Sequence, residues 1–112
     1  MTRTLAIVGA LLLAFASYAH TALKTSSPEA DTTVAAPRAI TLTFAGDVRL
    51  TSVALSDAGG REKHLDAVPT AVASKFELAI HEGLTPGKYT VVWRAVGGDT
   101  HIISGEFAFT VQ

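Results

Sequence analysis

Short segments in which apolar and polar residues alternate restrict the fold of this chain more than any other feature. In one of them, Ile40, Leu42 and Phe44 are separated by small or polar residues, which places the three apolar side chains on one face of a strand. Similar segments occur at 53–55, 75–80, 88–95 and 105–111. Beyond residue 19 no long helical period is found. The sequence therefore predicts an all-β fold.

Turn-forming residues separate these segments. Residues 57–60 (Asp-Ala-Gly-Gly) predict a hairpin turn, because glycine accepts the positive φ angles that such turns need. Pro86 and Gly87 predict a second turn, with Gly87 at the position that needs φ above zero. The stretch between Pro28 and Pro37 is predicted to be a loop with room for one short helical turn. About seven strands at this spacing indicate one Greek-key β-sandwich or barrel.

The first 19 residues have the layout of a cleavable export signal. Arg3 supplies a positive charge, residues 5–16 are free of polar side chains, and Ser17 and Ala19 are the small residues required before a cleavage site. The apolar run is shorter than the roughly 20 residues of a membrane-spanning helix. We therefore expect residues 1–19 to be removed and residues 20–112 to form one exported, periplasmic domain that does not insert into a membrane.

Composition excludes several kinds of partner and ligand. The formal net charge is −1 and no basic run is present, so nucleic acid is not an expected partner. The chain has no cysteine, which excludes a disulfide framework. Its single methionine is Met1, which leaves with the signal. The processed domain therefore offers no sulfur ligand to a metal.

Cleavage after Ala19 would make His20 the first residue of the domain. A terminal histidine offers its α-amine and its imidazole to one metal ion in a closed chelate ring. Tetragonal nitrogen and oxygen ligation is the arrangement that Cu(II) prefers. A terminal histidine with no other metal ligand nearby is usually just a solvated residue, so the prediction of a metal site depends on further ligands.

Asp99 and His101 are the further candidate ligands. In an extended segment, side chains two residues apart project to the same side, and together with His20 they would supply one amine, two imidazoles and one carboxylate. The alternative is a polar loop in which Asp99 caps a turn. The two other histidines, His64 and His81, are expected to be solvated strand and loop residues.

Several motifs together resemble the CopC (PcoC) family of copper-resistance proteins. They are residues 20–28 (HTALKTSSP), 86–94 (PGKYTVVWR) and 99–101 (DTH), followed by Gly105 and Phe107. The resemblance spans essentially all of residues 20–112. It implies a Greek-key barrel similar in shape to cupredoxins and a periplasmic role in copper resistance or delivery. An inner-membrane copper transporter is compatible with this role as a partner.

The resemblance also implies a ligand set. His20, Asp99 and His101 match the family's Cu(II) ligands. Many members carry a methionine-rich loop that binds Cu(I), and without methionine that site is expected to be absent here. Some members have a glutamate after the phenylalanine that ends the first long strand. The nearest acid here, Asp47, is shifted by one residue and is expected on the other face, so we leave it out of the site. Ile102 replaces a proline that often follows the motif.

Two other functions fit parts of this pattern. An amine with two imidazoles also resembles the histidine brace of copper monooxygenases, which makes a small copper oxidase the alternative to a binding protein. An immunoglobulin-like adhesion or assembly module with an incidental terminal histidine is the third reading. That module would show no metal-dependent change in thermal stability, whereas a ligand that binds only the native state raises it.

Overall fold

The computed structural model describes residues 23–112, which form an all-β domain of seven strands, as predicted. His20 and the predicted signal segment lie outside the described residues. No helix in the described range is long and apolar enough to span a bilayer. In chain order the strands are β1 (Leu23–Ser27), β2 (Thr33–Val34), β3 (Ala39–Asp57), β4 (Glu62–Lys63), β5 (Ala73–Ala79), β6 (Gly87–Gly97) and β7 (Ile102–Val111).

The long strand β3 connects the two halves of the sheet. Its first half pairs antiparallel with β1 on one side and with β5 on the other. From Val48 onward it pairs with β6, and its last residues pair with β4. The register shifts between Thr43 and Val48 and again between Leu50 and Ser52. Such bulges bend a strand and increase its twist, which allows one strand to serve both halves.

The two N-terminal strands, β1 and β2, lie at opposite ends of the strand order, which is β1-β3-β6-β7-β2. β1 pairs antiparallel with β3, whereas β2 pairs parallel with β7. The stretch between Pro28 and Pro37 is a loop, as predicted, but it contains no helical turn, and two of its residues, Thr33 and Val34, form β2. Their partners are Thr110 and Val111 at the end of the chain. A two-residue strand is too short to show a period of two in the sequence.

The core lies where the apolar faces of β3, β5, β6 and β7 meet. All three side chains first assigned to one face, Ile40, Leu42 and Phe44, are at most 2% exposed. Phe44 makes an edge-to-face contact with Trp93, with ring centroids 5.2 Å apart. Fully burying a side chain of this size contributes about 1.5 to 3 kcal/mol. The other residues of the buried hydrophobic core are Val48, Leu50, Leu55, Phe76, Leu78, Leu84, Tyr89, Val91, Trp93, Ala95, Phe109 and Val111.

Trp93 and Gly105 make the closest packing in this core. They are cross-strand partners in the β6–β7 ladder, and a Cβ atom at Gly105 would lie 2.7 Å from Cζ2 of the indole. The indole therefore occupies the volume that a side chain at position 105 would need. Within the described part of the chain, the buried Nε1 of Trp93 has no hydrogen-bond partner.

The predicted turn at residues 57–60 is present, and at the second predicted position the chain bends at Pro86 before β6 begins at Gly87. Gly60 has a φ of 83° in the turn after β3, and Gly87 has a φ of 142° after Pro86. Asp57 stabilises the first turn, because its Oδ1 accepts hydrogen bonds from the amides of Gly59 and Arg61, each at 2.9 Å. These bonds and the nearby Lys63 hold the pKa of Asp57 below its usual value, with the Arg61 amide as the largest cause.

Candidate metal centre

The hairpin between β6 and β7 carries two of the three predicted ligands. Gly97 donates its amide hydrogen to the carbonyl of His101 at 2.9 Å, and Thr100 donates to the carbonyl of Gly97, also at 2.9 Å. The connection is therefore a short turn followed by one residue in the left-handed region, Thr100, at φ 68°. Glycine usually fills that position, because a side chain there is strained.

Asp99 and His101 are in direct contact at the tip of this hairpin. The Nδ1–H of His101 donates to Oδ2 of Asp99 at 2.6 Å, and the backbone amide of His101 donates to Oδ1 at 3.1 Å. The predicted proximity is therefore present, but it comes from a turn that Asp99 caps and not from an extended segment. The reading in which Asp99 caps a turn is confirmed, and the same carboxylate also accepts a hydrogen bond from the imidazole, whereas the ligand role of the pair stays a prediction.

This contact determines which atoms of the pair are available to a ligand. With its proton on Nδ1, a neutral His101 presents the lone pair of Nε2. A carboxylate that accepts the other N–H of a ligating histidine fixes its tautomer and ring orientation. Each Asp99 oxygen also keeps a further lone pair. Both side chains are accessible, with exposed fractions of 69% for Asp99 and 81% for His101.

The same contact moves two pKa values in opposite directions. The hydrogen bond from the His101 ring, followed by that from the His101 amide, lowers the pKa of Asp99 below 3.8. The hydrogen bond and charge of Asp99 raise the pKa of His101 above 6.5. The unliganded hairpin therefore stabilises the charged pair, and a metal that takes the imidazole must displace a proton held more tightly than usual.

Only part of the rest of the predicted site lies within the described residues. His20 lies outside residues 23–112, so its position relative to the hairpin is not described. Asp47 is exposed and lines a surface groove together with Gly98 and Thr100 of the hairpin. Within the described range, no group of three or more histidine and acidic side chains is arranged to hold a metal ion. Asp99 and His101 are therefore two predicted ligands, and a metal site that uses them needs further groups.

A second histidine pair was not anticipated from the sequence. His64 and His81 are exposed, as expected, but their rings are neighbours with centroids 5.4 Å apart. Nε2 of His81 is also 2.5 Å from Oδ1 of Asp66, and this bond is the largest cause of the lowered pKa of Asp66. The bridge between Leu65 and Ile80 aligns these segments. His64 lies one residue before Leu65 and His81 lies one residue after Ile80, so the bridge places the two histidines opposite each other. The sequence alone does not show this, because the pairing of the two segments must be known first.

Comparison with known proteins identifies the family. The model of the CopC domain matches residues 23–112. Copper resistance protein C of Escherichia coli is 36% identical over 118 residues, covering 95% of this chain and 94% of that protein. Protein YobA of E. coli K12 is 30% identical, covering 96% and 91%.

Solved structures agree with this assignment. The crystal structure of PcoC, a methionine-rich copper resistance protein from E. coli, superimposes with a TM-score of 0.69 at 36% identity, covering 84% of this chain and all of that one. CopC from Methylosinus trichosporium OB3b gives a TM-score of 0.68 at 28% identity, covering 83% and 94%. The motifs, the seven-stranded fold and these matches lead to one conclusion: the chain belongs to the CopC family.

Proposed function

We propose that this protein is a periplasmic Cu(II)-binding protein that sequesters or delivers copper and does not act as an enzyme. The Asp99–His101 pair carries the proposal, because it presents the free Nε2 of an imidazole on an exposed hairpin, with the carboxylate of Asp99 orienting the ring through Nδ1. The names of the relatives, which refer to copper resistance, support a binding role. The processed N-terminus at His20 would complete the site with its amine and imidazole.

The strand register supports a site shared by His20 and the hairpin. Leu23 pairs with Phe44, and because β1 and β3 are antiparallel, moving backward along β1 corresponds to moving forward along β3. Val48, four residues after Phe44, pairs with Gly97 at the base of the hairpin. Four residues of regular strand span about 13 Å, and the bulge between Thr43 and Val48 shortens that path. A tether of three residues between Leu23 and His20 can span up to about 10 Å, which is compatible with a site shared by His20 and the hairpin.

The ligand chemistry supports the oxidised ion. Imidazole, amine and carboxylate suit Cu(II), whereas thioether and thiolate ligands favour Cu(I). The single methionine and the absence of cysteine contrast with the methionine-rich PcoC, to which the fold is similar. The proposed centre therefore holds Cu(II) and weakens when the metal is reduced. Release on reduction is a route by which such a protein would pass copper to an inner-membrane transporter.

Electron paramagnetic resonance of the signal-cleaved protein with one equivalent of Cu(II) tests the proposal. One tetragonal, nitrogen-rich signal is expected, and both His20→Ala and His101→Ala should alter it. A heterogeneous signal that is indifferent to His101→Ala would reduce the site to a chelate of the terminus alone. As a second variant, one extra residue before His20 converts the α-amine to an amide and should weaken Cu(II) binding at least about tenfold.

A further inference from the structure

We propose that His64 and His81 form a second metal site, specific for borderline divalent ions such as Zn(II) or Cu(II) and independent of the hairpin of Asp99 and His101. The site lies on a short ladder between the segment that follows β4 and the segment that follows β5. It combines two accessible imidazoles with one carboxylate, Asp66, that orients the ring of His81. Imidazole is the side chain that Zn(II) and Cu(II) bind most often in the absence of sulfur.

The ladder places the two histidines opposite each other. Leu65 and Ile80 form an antiparallel bridge, and the amide of His81 donates to the carbonyl of His64 at 2.8 Å. The amide of Asp66 donates to the carbonyl of Ala79 at 3.0 Å, which fixes the same register one step further. In an antiparallel pair, directly opposed side chains lie on the same face with Cβ atoms about 4.5 to 5.5 Å apart. His64 and His81 are such a pair.

The separation of the two rings fits a shared ion. Their centroids are 5.4 Å apart, with an interplanar angle of 58°. Two imidazoles bound to one ion through metal–nitrogen bonds of about 2.0 to 2.1 Å have centroids roughly 4.5 to 5.5 Å apart, depending on the angle at the metal. The spacing of the two rings therefore allows one ion to bind a nitrogen of each, and water can fill the remaining coordination positions.

Asp66 acts as the positioning residue. Its Oδ1 accepts the Nε2–H of His81 at 2.5 Å, while Oδ2 accepts the amide hydrogen of Ala79 at 3.0 Å. A proton held on Nε2 leaves the lone pair of the neutral imidazole on Nδ1. A carboxylate on the outer nitrogen of a ligating histidine raises its basicity and fixes its orientation. Within the described range no third histidine or acidic side chain completes a metal cluster here, so the proposed site has two direct protein ligands.

The other imidazole is held through its backbone. The amide of His64 donates to Oε2 of Glu82 at 2.7 Å, and Lys63 lies 3.9 Å from Oε1 of the same carboxylate. These contacts hold the end of the ladder at which His64 lies opposite His81. The side chain of His81 is 48% exposed and that of Asp66 is 45% exposed, so an ion can reach the pair from solvent.

Zn(II) titration followed by the imidazole proton resonances of the signal-cleaved protein tests the proposal. The His64 and His81 signals should shift together with one apparent Kd. His81→Ala should abolish the Zn(II)-dependent shift of His64 or weaken it at least about tenfold. Asp66→Asn should weaken binding by a smaller factor, because the amide oxygen still accepts a hydrogen bond but carries no charge. Glu77→Gln, which removes an exposed carboxylate from β5, is the matched control and should change nothing.

Two outcomes would overturn the second site. The first is a His64 shift that survives His81→Ala unchanged, and the second is Zn(II) that moves only the His20 and His101 signals. His101→Ala should leave the Kd at His64 and His81 unchanged within about twofold, which separates this site from the copper site. Because every substituted side chain is exposed, circular dichroism should show the same fold in each variant.

Discussion

Thr100 occupies a backbone conformation that its side chain disfavours. Its φ of 68° lies in the left-handed region, which a β-branched residue rarely adopts. A left-handed residue other than glycine costs roughly 1 to 2 kcal/mol. The strained residue lies between the two proposed ligands on the hairpin, and the hydrogen bonds of Gly97 and Asp99 with His101 hold the turn against this cost. Strain of this kind is often concentrated at binding sites.

Replacing Thr100 with glycine should stabilise the protein. Removal of the strained side chain is expected to raise the free energy of unfolding by about 1 kcal/mol, which corresponds to an increase in Tm of about 5 °C. Urea denaturation and thermal melts of the metal-free protein measure the change. Thr90→Gly, in the middle of β6, is the matched control and should lower stability, because glycine weakens a strand interior. A loss of stability in both variants would contradict the strain at Thr100.

At the scale of the hairpin, the Asp99–His101 pair predicts a specific pH dependence. The folded pKa of His101 is raised above 6.5, so the pair stabilises the metal-free protein below the unfolded pKa, and this contribution is lost as pH rises through the folded value. Copper binding runs in the opposite direction, because the metal needs the deprotonated ring. As the pH is lowered, copper affinity should therefore begin to fall at a pH above 6.5, which is a higher pH than for an unperturbed histidine.

Titration of the His101 ring protons by nuclear magnetic resonance checks this prediction. Asp99→Asn should move the pKa of His101 down toward 6.5, because the largest cause of the shift is removed. Asp31→Asn is the matched control, since it removes a carboxylate from the loop between β1 and β2. A pKa of His101 that is the same in all three proteins would show that the contact does not form in solution.

The elements also show how far the sequence could predict the structure. The alternation of apolar and polar residues identified the buried face of residues 39–44 and of β6, because a strand that is buried on one side has an apolar residue at every second position. The same alternation predicted two separate strands where the structure has the single strand β3. Residues 45–47 are exposed and interrupt the alternation, so they resemble a turn, and the sequence does not show the bulge through which the strand continues. Asp99 and His101 were identified as a pair, but the left-handed residue between them leaves no local pattern. The contact of His64 with His81 depends on a pairing between distant segments.

At the scale of the whole molecule, the close contact between Gly105 and Trp93 controls the packing of the core. Gly105→Ala would place a Cβ 2.7 Å from the indole, so β6 and β7 must separate or the ring must move. Overpacking of this kind typically costs about 1 to 3 kcal/mol. Gly46→Ala is the matched control, because nothing lies within 4 Å of its Cβ position. Denaturant unfolding should show a loss only for Gly105→Ala, and equal stability of both variants would contradict the close contact.

The buried indole of Trp93 also gives the protein a built-in fluorophore. It is the single tryptophan of the chain, it is 2% exposed, and its Nε1 has no hydrogen-bond partner among the described residues. An indole in such apolar surroundings emits at short wavelength, and unfolding moves its emission to the red. Trp93 lies four residues before Gly97 at the base of the hairpin, about 13 Å along β6. Cu(II) bound at the hairpin should therefore quench this emission, so that one intrinsic signal follows both folding and copper occupancy.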